Sequence, residues 1–221
     1  MTKPVSVVIV DNQVIFRLGL HQVLSGSPTV QIIAEGSDAM EAIALAKRFQ
    51  PDVLLVGFCL QSSKSGDILG EIVAASPNTK ILVLATSEDT QDVVAAMAAG
   101  ASGFVSKQVL PDELVLIIHS IDEGETYLSP KALTGWLEAL KENARITAAA
   151  RPEVSLTTQE LAVLAAISEG DNNREVASRL GISAATVKYH LAHIFAKLGV
   201  RNRVEAAVLA GRLLGDAGRH L

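Results

Sequence analysis

Leu180-Gly-Ile-Ser-Ala-Ala-Thr-Val-Lys-Tyr-His-Leu-Ala-His-Ile-Phe-Ala-Lys-Leu198 reads as a turn feeding a helix. Gly181 can take the left-handed backbone angles that end one helix. Ser183 can cap the next by accepting from its free backbone N–H groups. Val187, Leu191, Ile194 and Leu198 then recur at spacings of four, three and four, which makes one apolar stripe. Thr186, Lys188, Tyr189, His193 and Lys197 fall on the other side. A short helix, a tight turn and a second helix with donors along its outer face are what entry into a DNA major groove requires.

Upstream, Asn172-Asn-Arg-Glu-Val-Ala-Ser-Arg-Leu180 supplies the first helix of the pair. Asn172 and Glu175 have capping-box spacing, and Val176, Ala177 and Leu180 give a buried face. Leu156-Thr-Thr-Gln-Glu160, Val163-Leu164, Glu169-Gly170, Glu175-Val-Ala177, Thr186-Val-Lys188, His190-Leu191 and Lys197-Leu-Gly-Val200 stand around this core in order. From Leu156 to about Leu214 the chain resembles a LuxR-type DNA-binding domain.

The resemblance implies roles on the second helix. Lys188 and Tyr189 are expected toward base edges, with Ala192 and His193 one turn on. Ser183, Thr186, Asn173, Arg174 and Arg201 are expected toward phosphate, which positions without specifying. Lysine can donate to guanine O6 and N7; Tyr189 can donate a hydrogen bond or contact a thymine methyl. In such domains the last helix carries the dimer contact, and here Asn202 and Glu205 predict its cap. Thr157 and Glu160 predict the cap of the first.

Composition sets the frame. At 221 residues the chain suits one large or two medium domains. With 49% hydrophobic and 4% aromatic residues, Ala, Val, Leu and Ile must build the cores. No signal-peptide pattern opens the sequence, since the apolar run Val5–Val10 is short and ends in Asp11. No run reaches membrane-span length. The single cysteine, Cys59, rules out an internal disulfide and fits a reducing cytoplasm; redox activity at Cys59 is left open. The net charge of −5 is unevenly spread. Residues 1–125 carry 7 basic and 15 acidic side chains (−8), residues 126–150 carry 3 and 2 (+1), and residues 151–221 carry 9 and 7 (+2). The acidic half would be repelled by phosphate, whereas the C-terminal half would not.

In residues 1–125, apolar runs of strand length alternate with amphipathic helix patterns. Strands are predicted at Val5–Val10, Val30–Ala34, Val53–Val56, Lys80–Leu84 and Ser102–Val105, each followed by a helix. Continuous apolar strands in β-then-α units imply a five-stranded parallel sheet, doubly wound with helices on both faces. The functional crevice of such a sheet lies beyond the strands' C-terminal ends. Asp11-Asn12, Gly57, Ala85 and Lys107 stand there.

Val8-Ile-Val-Asp11, Pro51-Asp-Val53, Gly66, Gly100-Ala101, Gly103-Phe104 and Lys107 carry a second resemblance, to the receiver domain of two-component response regulators. The whole chain therefore looks like a NarL/FixJ-type response regulator. That family's chemistry requires an acceptor aspartate after strand three, an acidic pair after strand one for Mg²⁺, a hydroxyl after strand four and a lysine after strand five. Gly57 replaces the acceptor, Asn12 the second acid and Ala85 the hydroxyl, with Thr86 adjacent if the alignment slips by one. Asp52 precedes the buried run and Asp67 reads as first-turn helix charge. The resemblance thus implies a degenerate receiver, in which Asp11 and Lys107 are expected to pair with each other. The remaining niche either holds water or admits a small-molecule or protein signal.

Gly124 to Pro130 leads out of the receiver. Leu133, Trp136, Leu137 and Leu140 predict a short helical face, with Trp136 packed on a domain, and residues 141–154 read as a linker. The expected organisation is a receiver-like domain over 1–125, a connector over 126–155 and an all-α four-helix DNA-binding domain over 156–221. The expected function is a cytoplasmic transcription regulator. It would bind double-stranded DNA at an inverted repeat as a homodimer, independently of phosphorylation and with no membrane association. No cofactor, metal or catalytic set is expected. The alternative is a protein-binding adaptor or a ligand-sensing regulator.

Overall fold

A computed structural model describes residues 3–60, 65–147, 156–200 and 202–217. The chain forms two compact units, residues 1–122 with 127–137 and residues 123–126 with 138–221.

The first unit alternates β1 (Val5–Val10), α1 (Val14–Ser25), β2 (Val30–Gly36), α2 (Ala39–Phe49), β3 (Val53–Gly57), α3 (Ser65–Ala75), β4 (Lys80–Ala85), α4 (Thr90–Ala98), β5 (Gly103–Ser106) and α5 (Pro111–Asp122). The sheet order is β2-β1-β3-β4-β5, extended beyond β5 by a short strand β6 (Tyr127–Leu128), and every pairing is parallel. Strand side chains alternate between faces. Val7, Ile9, Leu55, Leu82 and Leu84 pack with Leu20 and Leu24 of α1 and Leu114, Ile117, Ile118 and Ile121 of α5. The alternate residues Val8, Val10, Leu54, Val56, Ile81 and Val83 are also buried, on the face where α2, α3 and α4 supply Ala46, Leu69, Ile72, Val93 and Met97. Burial on both faces is why these strands are apolar throughout rather than alternating.

The expectation of five strands is corrected to six. β6 (Tyr127–Leu128) pairs with Gly103 and Phe104 of β5. Two residues are too few to carry a period-2 pattern, so only the partner strand reveals it. The connector is also more helical than its apolar pattern implies. α6 runs from Pro130 to Thr147, through the stretch read as the start of a linker. Lys, Glu, Ala and Arg in that stretch are good helix formers without any apolar periodicity. The rest of the expected linker, residues 148–154, lies outside the described residues. Trp136 is 1% exposed, in the first unit.

The second unit contains α7 (Thr158–Ser168), α8 (Asn173–Leu180), α9 (Ala184–Leu198) and α10 (Arg203–Ala217). Val163, Leu164, Ile167, Val176, Val187, Leu191, Ile194, Leu198, Ala206 and Ala210 form its core. Thr157–Glu160 and Asn172–Glu175 make reciprocal capping boxes on α7 and α8, satisfying two backbone donors at the start of α7 and three at the start of α8. Glu160 is buried and accepts from Lys197 Nζ of α9 at 2.7 Å, tying α7 to α9. That ammonium and the Thr157 N–H hold the Glu160 carboxyl down at about 2, below the usual carboxylate range.

Candidate functional site

The α8–α9 pair is built by its turn. Gly181 ends α8 at φ +66°, and Ile182 N donates to Ala177 O at 3.0 Å. Ser183 Oγ then accepts from Thr186 N at 3.0 Å and starts α9. The buried stripe Val187, Leu191, Ile194 and Leu198 fixes the helix's rotation, so Lys188, Tyr189, Ala192 and His193 are all exposed on the outer side. The Tyr189 and His193 rings lie 4.4 Å apart, and the His190 ring meets Tyr189 edge-on at 5.8 Å. α9 contains no acidic residue.

The residues expected near phosphate separate. Ser183 is exposed, and its hydroxyl lies 2.8 Å from the half-buried Thr186 hydroxyl. Arg174 is exposed and pairs with Glu123 of the same unit. Asn173 is only 2% exposed, and its Oδ1 accepts from Arg203 Nη1 at 2.8 Å. Asn173 is thus a buried link between α8 and α10 rather than a surface donor. Burial pushes the Arg203 guanidinium below its usual range, against the opposing pull of Glu125, Asp171 and Glu175. Arg201 lies outside the described residues.

The crevice of the first unit is built from strand ends. Asp11 follows β1 and is fully buried. Its Oδ1 accepts from Gln13 N at 2.8 Å, and its backbone carbonyl accepts from Arg17 Nη1 at 2.6 Å. Its Oδ2 lies 2.6 Å from Lys107 Nζ, an ion pair with both side chains under a tenth exposed. Among the described residues no hydrogen-bond donor is aligned on that oxygen; the ammonium charge alone answers it. Lys107 Nζ also donates to Gln13 Oε1 at 2.9 Å and sits 4.4 Å from the centre of the Phe16 ring. Neither Gln13 nor Phe16 stands out in the sequence; they become legible only when α1 places them beside Lys107.

Gly57 closes β3 directly under this pair. A Cβ on Gly57 would lie 2.2 Å from Asp11 Oδ2 and 2.8 Å from its Cγ, closer than real atoms approach. The backbone there is not left-handed, so what opposes a side chain at Gly57 is the Asp11 carboxylate and not φ. Ala85 closes β4 in register with Ser106, while Thr86 beyond it is exposed. Asn12 is exposed at the rim. Asp52 is committed at the opposite end of the sheet, where its Oδ2 accepts from Ser6 N and Oγ at 2.8 and 2.6 Å.

These residues do not suit a divalent cation. Mg²⁺ is held through carboxylates and phosphate oxygens. The buried carboxylate of the crevice, Asp11, accepts from Gln13 N at one oxygen and faces the Lys107 ammonium with the other, so that ammonium occupies the adjoining space. Among the described residues no group of three or more His, Cys, Asp or Glu is placed to hold a metal ion. None of their helices is long and apolar enough to cross a membrane.

A parallel, doubly wound α/β unit and a helix-turn-helix unit define a two-domain regulator. Comparison with known proteins agrees. Residues 7–119 match the response regulator receiver domain, and residues 154–210 match the luxR family of bacterial regulatory proteins. The chain is 32% identical over 206 residues to the nitrate/nitrite response regulator protein NarL of Escherichia coli K12, covering 93% of this chain and 94% of that one. It is 31% identical over 202 residues to the oxygen regulatory protein NreC of Staphylococcus aureus, covering 90% and 93%. The crystal structure of ChrA, the response regulator of a heme-sensing two-component system, matches at 28% identity and a TM-score of 0.50, over 96% of this chain and 98% of that one. The chain belongs to the NarL/FixJ family of response regulators and is a transcription regulator with a LuxR-type DNA-binding domain.

Proposed function

We propose that this regulator controls transcription without aspartyl phosphorylation, binding an inverted-repeat operator as a homodimer through residues 156–214. The observation that carries the phosphate-independent part is the steric one at Gly57. The acceptor position has no side chain, and the Asp11 carboxylate fills the space in which one would begin. Lys107, which would meet a phosphoryl group, instead meets Asp11, Gln13 and the Phe16 ring. For DNA, Lys188, Tyr189, Ala192 and His193 form an exposed outer face with no carboxylate on the same helix. Phosphate contacts fall to Ser183, Thr186 and Arg174, with Arg201 as a further candidate. A dimer would double these few contacts, which suits a half-chain carrying only +2.

The alternative, an adaptor or a ligand-sensing regulator with a signal bound in the niche of Asp11, Asn12, Gly57, Ala85 and Lys107, has less support. The two charged groups of that niche already neutralise each other.

Intact-mass measurement of the full chain after incubation with acetyl phosphate and Mg²⁺ tests the chemistry. An unchanged mass is expected. A stoichiometric phosphoryl adduct that hydroxylamine removes would mean that another carboxylate accepts phosphate.

A further inference from the structure

α1 buries Leu20 and Leu24 in the core of the first unit and leaves Val14, Ile15 and Leu18 outside, with Ile15 82% and Leu18 57% exposed. Ile15 and Leu18 are three positions apart, and Val14 and Leu18 four, so the three share one face of the helix. Single exposed apolar side chains are ordinary, whereas a contiguous group of them marks a contact surface. Gly19 falls on the same face, four residues after Ile15. Glycine inside a helix is less stable than alanine. Among the described residues a Cβ on Gly19 would meet nothing within 4 Å, so the chain's own packing does not call for glycine there. What the missing side chain permits is a close approach from outside.

Charge selects what approaches. Residues 1–125 carry a balance of −8, so two copies repel over most of this surface. The exposed positions of α1 hold no Asp, Glu, Lys or Arg, and Arg17 is engaged by Glu35 and the Asp11 carbonyl. A charged partner finds nothing there to pair with; a second copy brings the same uncharged stripe and the same gap at Gly19. At the β5 edge of the sheet the chain closes itself. β6 pairs with β5, the Tyr127 hydroxyl donates to Glu113 of α5 at 2.7 Å, and Ser129 Oγ donates to Glu88 at 2.9 Å. α6 lies so close to α4 that a Cβ on Gly135 would stand 2.6 Å from Thr90 Oγ1. α1 packs on β1 and β2, away from that closed edge. We propose that α1 is the homodimer contact of the first unit. It crosses the α1 of a second copy about a two-fold axis near Gly19, so that Ile15 and Leu18 of each chain cover those of the other. The assignment rests on the homodimer reading above and adds where the two first units meet.

Sedimentation velocity of the full-length protein without DNA, over a range of concentrations, measures the association. The wild-type chain is expected to dimerise. Ile15→Glu sets like charges against each other across the axis and should weaken the dimer about 100-fold. Because Ile15 is exposed, the same variant should leave the urea midpoint of the monomer unchanged when read through Trp136. Met40→Glu, at an 80% exposed apolar position on α2, should leave association unchanged. Gly19→Ala should raise the melting temperature of the monomeric Ile15→Glu chain, as alanine is the better helix former, yet weaken association several-fold in the otherwise wild-type chain. A dimer that survives Ile15→Glu overturns the inference, leaves the homodimer reading standing and leaves this face to another protein. An equal loss in Met40→Glu also overturns it, since net charge and not this face would be responsible. Unchanged association in Gly19→Ala overturns the close crossing. A wild-type chain that is monomeric in solution and pairs only on operator DNA overturns the inference alone; one that binds its operator only as a monomer overturns both the inference and the homodimer reading.

Discussion

Gly57→Ala adds a single methyl group at the centre of the crevice. Its Cβ would stand 2.2 Å from Asp11 Oδ2 and 2.8 Å from Cγ, while the Asp11 Cα at 3.5 Å is an ordinary contact. The Asp11 carboxylate must therefore leave its place, against its bonds to Gln13 N and Lys107. Forcing an extra methyl into a packed interior costs about 1–3 kcal/mol. Alanine also stiffens the unfolded chain at a backbone angle it can adopt, which returns about 0.4–1 kcal/mol. The net expectation is a loss of about 1–2 kcal/mol, read by urea unfolding of the first unit through its one tryptophan, Trp136, which is buried. The diagnostic arm is the double variant. In an Asp11→Ala background the obstructing atoms are gone, so Gly57→Ala becomes neutral or slightly stabilising, a coupling that a double-mutant cycle isolates. Equal cost in both backgrounds, or none in either, would refute the steric argument.

Further expectations follow from named contacts. Glu160 is held as a carboxylate at about 2, so its contribution to the second unit is complete above the ordinary carboxyl range and is lost as pH falls from there toward 2. Glu160→Gln should flatten that acid limb of helical circular dichroism. Gly181→Ala places a Cβ in left-handed backbone and should cost about 1–2 kcal/mol, lowering the melting temperature of the DNA-binding unit. Lys188→Ala should cost about 1–3 kcal/mol on a selected operator and much less on random DNA, as measured by fluorescence anisotropy. An equal loss on both would place Lys188 on phosphate.

Much of this architecture is legible in the sequence because it is local. The capping pairs Thr157–Glu160 and Asn172–Glu175, the Gly181–Ser183 turn and the α9 stripe each lie within a few residues, and their chemistry admits few alternatives. The crevice positions are legible for a different reason: the end of an apolar run marks the end of a strand. What escapes is long-range. Gln13 and Phe16 join Lys107 only because the Lys107 side chain, from the segment after β5, reaches across the strand ends to the start of α1, and β6 exists only as a partner of β5. Asn173 carries a polar side chain that could equally face phosphate or a buried arginine. The choice falls to Arg203, thirty positions on, through a contact that no local pattern shows.

The most direct test of the central claim is the affinity of the full-length protein for a selected operator, with and without acetyl phosphate and Mg²⁺. The account predicts specific binding of the same strength in both conditions. Binding that appears or tightens severalfold only with the phosphodonor would contradict it, because the receiver would then hold an acceptor that the Gly57–Asp11 geometry leaves no room for.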